Sequence, residues 1–177
     1  MRMLEYKVYE EARKNFSWDQ TWELFDGTPE NFNIAYECID RHTGKGSAVR
    51  IKFDDGHIER YRFDEISKFS SQFANALENL DVNFGDRVAI MLNPSLEFYV
   101  SLFGTLKRGA VGVPCFTLFG PEALMQRLED SGAKVLVTTE DKTGIVDSKS
   151  HVKIVTVGPQ FNEFLRNQNE KYTPKTM

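Results

Sequence analysis

The sequence has few of the residues that mark a secreted or membrane-spanning protein. It contains only two cysteines, Cys38 and Cys115, which lie far apart, and Cys115 falls in an apolar run. This excludes a disulfide framework and favours reduced thiols. The segment Met1 to Glu11 is charged and lacks the apolar stretch of a secretory signal, and no run approaches the roughly 18 apolar residues that a membrane helix needs. We therefore expect a cytoplasmic protein with no membrane partner.

An excess of positive charge is also missing. The net charge is −4, with 22 basic and 26 acidic residues interspersed, so no nucleic-acid partner is expected. The three histidines, His42, His57 and His151, stand apart from cysteines and paired carboxylates, so their spacing assembles neither a metal site nor a catalytic dyad. Segment 44–47 lacks the earlier glycine and the preceding buried strand of a phosphate loop, so we interpret it as a polar connector. Segment 54–56 lacks the spacing of a calcium-binding loop, so we interpret it as a hairpin turn.

The apolar residues that are present suffice for one main core. Hydrophobic residues make up 41% of the 177 positions, including 14 Phe, 6 Tyr and 2 Trp. Because fully burying one such side chain contributes roughly 1.5–3 kcal/mol, we expect the chain to fold. Its length suits one main domain. We divide it into a helical extension and loop at residues 1–48 and a partial domain at residues 49–177.

The first part of the chain predicts short helices and then a hairpin. Ile34 to Ile39 has the 3.6-residue period of a helix packed on a larger body. Alternating residues at 49–53 and apolar positions within 58–63 flank an Asp-Asp-Gly turn, which indicates a β-hairpin. From Asp64 the period becomes helical, with Asp64 as the expected cap and Gln72 on the predicted outer face.

The middle of the chain alternates strand-like and helix-like segments at the spacing of parallel βαβ units. The predicted strands are Val88 to Leu92, Ala110 to Phe116, Lys134 to Thr138 and Val152 to Val157. Helices are predicted after Pro94, from Pro121 to Gly132, and from Phe161 to Glu170. The predicted fold class is therefore α/β. It is a flavodoxin-like parallel sheet with flanking helices, plus a β-hairpin and N-terminal helices, and it forms part of a larger domain.

Residues 60–139 resemble the early part of the adenylate-forming superfamily. The matching segments are Tyr61 to Ile66 (similar to the first core motif), Gly85 to Ile90, Leu106 to Pro114 (similar to the second core motif) and residues 121–134. Upstream, segments 33–36 and 40–42 resemble the acetyl-CoA and medium-chain acyl-CoA synthetase branch of AMP-forming acyl-CoA synthetases. One departure is Arg62, where the family usually has Thr or Ser, so the cap of the next helix must shift to Asp64 or be lost.

The resemblance implies structural roles for both core motifs and a binding role for one loop. Residues 116–120 follow a parallel strand at the end where such sheets bind ligands. In acetyl-CoA synthetases the corresponding loop lies beside bound coenzyme A, so Phe116, Thr117 and Leu118 are candidate coenzyme-side residues, although the glycines usual there are absent. The alternative interpretation is ordinary packing by two aromatic side chains. No catalytic residue and no metal ligand is predicted.

The superfamily's nucleotide-binding motifs do not occur in these 177 residues. The family holds ATP with a Ser/Thr/Gly-rich loop ending in lysine. The resemblance implies that the complete enzyme uses ATP, magnesium and coenzyme A to make acyl-CoA from a carboxylic acid. This chain alone is expected to be inactive and to keep no cofactor bound. Its expected partners are the C-terminal half of the synthetase, or a second copy through an exposed apolar face. Two alternatives stay open: one subunit of a split synthetase, and a non-catalytic flavodoxin-like binding or regulatory module.

Overall fold

The computed structural model describes residues 5–146 and 150–176, which form helices and strands in alternation. The helices are α1 (Tyr9–Asn15), α2 (Ile34–Cys38), α3 (Phe63–Asn79), α4 (Leu96–Lys107), α5 (Pro121–Ser131) and α6 (Pro159–Arg166). The strands are β1 (Ser47–Lys52), β2 (Ile58–Arg62), β3 (Arg87–Met91), β4 (Val111–Pro114), β5 (Ala133–Thr139) and β6 (Lys153–Val157). Short 3₁₀ turns occupy Trp18–Leu24, Asp40–His42 and Glu140–Ile145. The predicted N-terminal helices and hairpin are confirmed.

Four strands form one parallel sheet in the order β4-β3-β5-β6, and β1 and β2 form the separate antiparallel hairpin. The predicted α/β fold class is thus confirmed. Strand β4 is shorter than the predicted strand, which ran from Ala110 to Phe116. It ends at Pro114 because the chain turns at Phe116, whose carbonyl accepts a hydrogen bond from the Phe119 N–H at 3.1 Å.

Strand β3 lies inside the sheet and is covered on both faces. Val88 and Ile90 contribute to a core beneath α3, α4 and α6, whereas Ala89 and Met91 face a second core beneath α5. All four side chains are essentially excluded from solvent. A continuous apolar run is therefore favourable here, because the alternate side chains of a strand point to opposite faces.

The outer face predicted for α3 is wrong at Gln72. Its side chain is buried, and its amide Nε2 donates to the Leu165 carbonyl at 2.9 Å. The reason is that α6 ends beside α3, where the Leu165 carbonyl accepts from the buried Gln72 amide in addition to the Gln168 N–H at 2.9 Å. Helix α6 itself begins at Pro159, two residues before the predicted start, and ends at Arg166, four residues before the predicted end.

The predicted cap of α3 is also wrong. The helix begins at Phe63, so Asp64 lies in its first turn, and its carboxylate accepts from the Gly44 N–H at 3.1 Å. The Glu65 carboxylate instead accepts the Arg62 backbone N–H at 2.8 Å. Glu65 therefore satisfies one of the unpaired donors at this helix end. The side-chain cap that the family's usual Thr or Ser would supply is lost, because the Arg62 guanidinium has no acceptor.

Candidate functional site

The carboxyl ends of β3 and β4 lie at the same end of the sheet, and the winding of the chain changes direction at β3. After β3 the chain adds β4 on one side and then returns to place β5 on the other side. In open parallel sheets, ligands bind outside the carboxyl ends of the strands at such a reversal. Segment 92–95 follows β3 and borders this reversal, and segment 115–120 follows the neighbouring edge strand β4. Both segments lie at the end of the sheet where ligands are expected to bind.

Hydrogen bonds fix the loop after β4, which we call the β4–α5 loop (residues 115–120), beginning with that from the Cys115 N–H to the Ile90 carbonyl at 2.8 Å. The Phe119 N–H donates to the Phe116 carbonyl at 3.1 Å and closes a tight turn. The Thr117 hydroxyl donates to Asn93 Oδ1 at 3.0 Å, which ties this loop to the segment that follows β3. The two segments at the carboxyl edge are thus held together by side chains from neighbouring strand ends.

The three candidate residues from the sequence lie together on this turn. Phe116 is 60% exposed and Leu118 is 78% exposed, and the Phe116 ring packs edge-on against Phe119 with centroids 5.8 Å apart. Because the Thr117 hydroxyl already bonds to Asn93, Phe116 and Leu118 supply most of the free contact area. Their role in binding coenzyme A stays a prediction.

Sequence reasoning missed a cation beside this loop. Arg127, on α5, places its guanidinium carbon 3.9 Å from the centroid of the Phe119 ring. Its Nη1 also donates to the Ala123 carbonyl at 2.8 Å. A cation over an aromatic face is attracted by the ring's electron density. No local pattern signals this contact, because the two residues lie on different elements and meet only when α5 folds back beside the loop.

Cys115 begins the loop but does not have the environment of a reactive thiol. Its side chain is buried, and burial raises the pKa of the thiol, an effect that nearby Arg127 partly opposes. The neutral thiol therefore predominates at pH 7, and it is a poor nucleophile. Among the residues that the structure describes, no cluster of His, Cys, Asp and Glu has the arrangement of a metal site.

The second core motif, residues 106–114, holds the scaffold together where α4 ends. Gly109 has a φ of +73°, and a Cβ at this position would lie 2.4 Å from the Phe84 ring. Only glycine tolerates both the left-handed backbone and the close approach. The structural role that the sequence predicted for this glycine is consistent with that geometry.

The lysine of the same motif is buried, which the sequence did not reveal. The Lys107 ammonium lies 2.7 Å from the Asp40 carboxylate and donates to the Ser67 carbonyl and the Ser71 hydroxyl, both at 2.9 Å. The Lys107 side chain is 1% exposed. Burial lowers the pKa of Lys107, whereas the Asp40 charge raises it. We call these four residues the Lys107 cluster.

Asn33 and Arg108 link the end of α4 to residues from the N-terminal and C-terminal parts of the described chain. The Asn33 amide donates to the Leu106 carbonyl at 2.8 Å and to the Lys175 carbonyl at 2.7 Å. Arg108 donates to the Val82 carbonyl at 2.8 Å and to the Tyr172 hydroxyl at 2.9 Å. The upstream and motif residues that carried the family resemblance therefore act largely as packing and hydrogen-bonding groups.

Comparison with protein families matches residues 40–176 to the AMP-binding enzyme family. The acetyl-coenzyme A synthetase of Bacillus subtilis is 38% identical over 140 residues, a match that covers 76% of this chain and 24% of that protein. The acetyl-coenzyme A synthetase of Burkholderia lata is 33% identical over 141 residues, with 77% and 20% covered. This chain thus spans about a quarter or less of the length of these relatives.

Solved structures give the same result at the level of the fold. A Brucella canis acyl-CoA synthetase superposes with a TM-score of 0.89 and 26% identity, over 97% of this chain and 34% of that one. An anthranilate CoA ligase, solved in complex with anthranoyl-AMP, superposes with a TM-score of 0.72 and 27% identity, over 84% and 30%.

The parallel sheet, the hairpin and the two core motifs define an α/β module of the kind found in the amino-terminal part of acyl-CoA synthetases. The chain belongs to the AMP-binding enzyme family. The resemblance drawn from the motifs is therefore confirmed, and its extent is that of a partial, amino-terminal region. No helix in residues 5–146 and 150–176 is long and apolar enough to cross a membrane.

Proposed function

We propose that this chain is the amino-terminal module of an AMP-forming acyl-CoA synthetase. The complete enzyme converts a carboxylic acid, ATP and coenzyme A to acyl-CoA, AMP and diphosphate, with magnesium as its metal, in the cytoplasm. The observation that carries the proposal is the 38% identity to an acetyl-coenzyme A synthetase over most of a sheet whose carboxyl edge presents the exposed β4–α5 loop. The function of the loop rests on its position and exposure, because apolar side chains at such an edge suit contact with a ligand.

Within this proposal the module has two tasks. The Lys107 cluster and Gly109 hold the scaffold, and the β4–α5 loop forms one wall of the coenzyme A site. Phe116 and Leu118 supply apolar contact, and Thr117 positions the loop through Asn93. Because one wall buries little of a ligand, the chain alone is expected to make only weak, millimolar contact with coenzyme A and to retain none of it.

The isolated chain is expected to show no acyl-adenylate formation. Adenylation requires charge stabilisation and in-line positioning at the α-phosphate, and residues 1–177 lack the family's phosphate-binding loop. We expect diphosphate release from ATP with acetate, butyrate or octanoate to be lower by more than about 10⁴-fold than with a complete synthetase. A coupled diphosphate assay measures this directly.

A chimera provides the matched positive test. The 140 matched residues of the Bacillus subtilis enzyme are replaced by the corresponding residues of this chain, and acetyl-CoA formation is measured. Activity of the chimera with inactivity of the isolated chain supports the proposal. Diphosphate release by the isolated chain, or an inactive chimera that folds and binds ATP normally, contradicts it.

The proposed partner surface is an apolar groove of about 390 Å³ at the amino end of β4. Its rim includes Ile34, Phe84 and Val111, which are 47%, 55% and 48% exposed. Apolar side chains that cluster at the rim of a groove mark interaction surfaces. In the complete enzyme we propose that the C-terminal part of the synthetase covers this groove.

In the isolated chain the same groove is expected to cause self-association. Sedimentation velocity over a range of concentrations should show a reversible dimer, and the double variant Ile34→Ser, Val111→Ser should weaken it at least about tenfold through loss of apolar area. Tyr9→Ser is the control, because Tyr9 is 74% exposed on the distant helix α1. A wild-type chain that stays monomeric at all concentrations contradicts this expectation.

A further inference from the structure

Three amide side chains form a stripe along one face of α3. Gln72, Asn75 and Asn79 are three and four positions apart, so they lie on the same side of the helix. Gln72 donates to the Leu165 carbonyl in the last turn of α6. Asn79 Nδ2 donates to Gln168 Oε1 at 2.9 Å, beyond the end of α6. We call the three side chains the amide stripe, and they receive the chain as it leaves α6.

The segment that follows α6 runs as a strap along the amide stripe. Residues 167–176 contain no helix or strand, so contacts with other elements determine their path. Asn75 Nδ2 donates to the Asn169 carbonyl at 2.8 Å and to the Lys171 carbonyl at 3.1 Å. Because both acceptors belong to the backbone, Asn75 fixes the course of the strap and demands little of its side chains.

The far end of the strap is held by the end of α4 and by the N-terminal segment. The Lys175 N–H donates to the Lys107 carbonyl at 2.8 Å, and the Lys175 carbonyl accepts from the Asn33 amide at 2.7 Å. Between these points the Tyr172 hydroxyl accepts from the Arg108 guanidinium at 2.9 Å. The strap therefore ends against the second core motif, at a position that Asn33 also contacts.

Chain length does not dictate this path. Helix α6 follows β6 at one edge of the sheet, whereas α4 leads into β4 at the opposite edge. Four strands about 4.8 Å apart make the sheet roughly 14 Å wide, whereas residues 167–175 could extend over about 30 Å. The strap thus has slack, and its hydrogen bonds determine where it ends.

We propose that the amide stripe and Asn33 are positioning residues, which hold the strap so that the following part of the synthetase meets this module correctly for thioester formation. This rests on the proposed function, in which the following part binds ATP and this module forms one wall of the coenzyme A site. The strap is then the covalent link between the two parts. The place where it leaves the end of α4 sets how the two parts lie relative to each other.

The two half-reactions depend differently on this placement. Formation of the acyl-adenylate takes place within the part that binds ATP. In the second half-reaction the coenzyme A sulfur bonds to the acyl carbon, AMP leaves with the electron pair of the acyl C–O bond, and the thiol proton is released. That step brings together groups from both parts, and a misplacement of about 1 Å can lower such a rate by about 100-fold. Release of the strap should therefore slow thioester formation more than adenylation.

The activity test uses the Bacillus subtilis chimera, extended to carry this chain from Asn33 to Thr176, with and without the double substitution Asn75→Ala, Asn79→Ala. Alanine has a higher helix propensity than asparagine, so the substitution removes strap contacts without weakening α3. We expect kcat for acetyl-CoA formation to fall about tenfold, while acetate-dependent ATP–diphosphate exchange stays within about twofold. A merely structural role would lower both rates together.

The position of the strap is measured separately on the whole isolated chain. Hydrogen exchange of the Lys175 N–H reports release of the far end of the strap, because this group donates to the Lys107 carbonyl. Exchange should be about tenfold faster in the double variant, since the two bonds from Asn75 to the strap are lost.

Asn162→Ala is the matched control, because Asn162 is an exposed amide on the neighbouring helix α6. It should leave the exchange of Lys175 and both rates as in the unsubstituted protein. Equal exchange of Lys175 in the wild type and the double variant refutes the hold on the strap. Faster exchange with an unchanged ratio of the two rates refutes the positioning role. A chimera that is inactive before any substitution contradicts the proposed function itself, which the exchange measurement does not depend on.

Discussion

Replacing Asp40 with alanine is expected to lower the free energy of unfolding by about 3–5 kcal/mol, because it leaves the Lys107 ammonium buried without its counter-charge. Asp40 accepts from both the Lys107 ammonium at 2.7 Å and the Ser67 hydroxyl at 2.6 Å. The Ser67 carbonyl and the Ser71 hydroxyl continue to accept from Lys107, but neither carries charge. Without Asp40, burial alone would act on Lys107 and lower its pKa further.

Urea unfolding measures this loss as a lower midpoint at an unchanged slope, and thermal unfolding should shift by about 10 °C for a chain of this size. Glu170→Ala is the control, because the pair that Glu170 makes with Lys68 is about half exposed, so about 0–1 kcal/mol is expected. The double variant Asp40→Leu, Lys107→Met should recover most of the stability, since a buried ion pair replaced by apolar groups costs little. An Asp40→Ala variant within 1 kcal/mol of the wild type would refute the role given to this pair.

The fold was largely predictable because its signals are local. Strand β3 is a continuous apolar run, which is typical of a strand covered on both faces. Gly132 ends α5 in the left-handed conformation, with a φ of 59°. Each of these features depends on a few neighbouring residues and on periodicity. The alternation of strand and helix segments also predicted a parallel sheet, because short connections through helices permit few topologies.

The unexpected burial of Gln72 and of Lys107 has one physical cause, which is a partner distant in sequence. Gln72 was expected on the outer face, yet a carbonyl 93 positions away accepts its amide. Lys107 lies in the last turn of α4, but nothing nearby in the sequence reveals that Asp40 arrives to bury it. A polar side chain is buried when a partner satisfies it, and only the tertiary structure supplies that partner.

The candidate site was likewise predictable from the sequence only in part. The β4–α5 loop follows a predicted parallel strand, so residues 116–118 could be proposed as candidates from the sequence and from the family resemblance. The groups that brace the loop were not, because Asn93 and Thr117 are 24 positions apart and Arg127 reaches Phe119 from the next helix. Sequence patterns therefore locate the candidate edge, whereas the charge available there requires the folded structure.

Replacing Glu37 with glutamine is expected to destabilise the N-terminal segment by about 3 kcal/mol at pH 7, through loss of several charge-assisted hydrogen bonds. The Glu37 carboxylate is 2% exposed and binds the Arg41 guanidinium. It also accepts from the Asp26 N–H at 3.1 Å and the Gly27 N–H at 2.7 Å. A glutamine amide would point donor hydrogens at some of these donors. Both tryptophans, Trp18 and Trp22, lie in this segment, so their fluorescence reports its unfolding.

The effect of Glu37→Gln should shrink in acid. Burial raises the pKa of Glu37, but the hydrogen bonds from Asp26, Gly27 and Arg41 outweigh it and hold the pKa below its usual value. A lowered carboxyl pKa in the folded state gives stability that is complete above the unfolded-state pKa of about 4.3 and is lost as the pH falls through the folded-state value. Unfolding of the wild type and of Glu37→Gln should therefore differ most at pH 7 and converge as the pH falls below the lowered folded-state pKa. Exposed Glu30→Gln is the control, and a difference that stays constant with pH would show that packing, not the carboxylate charge, stabilises the segment.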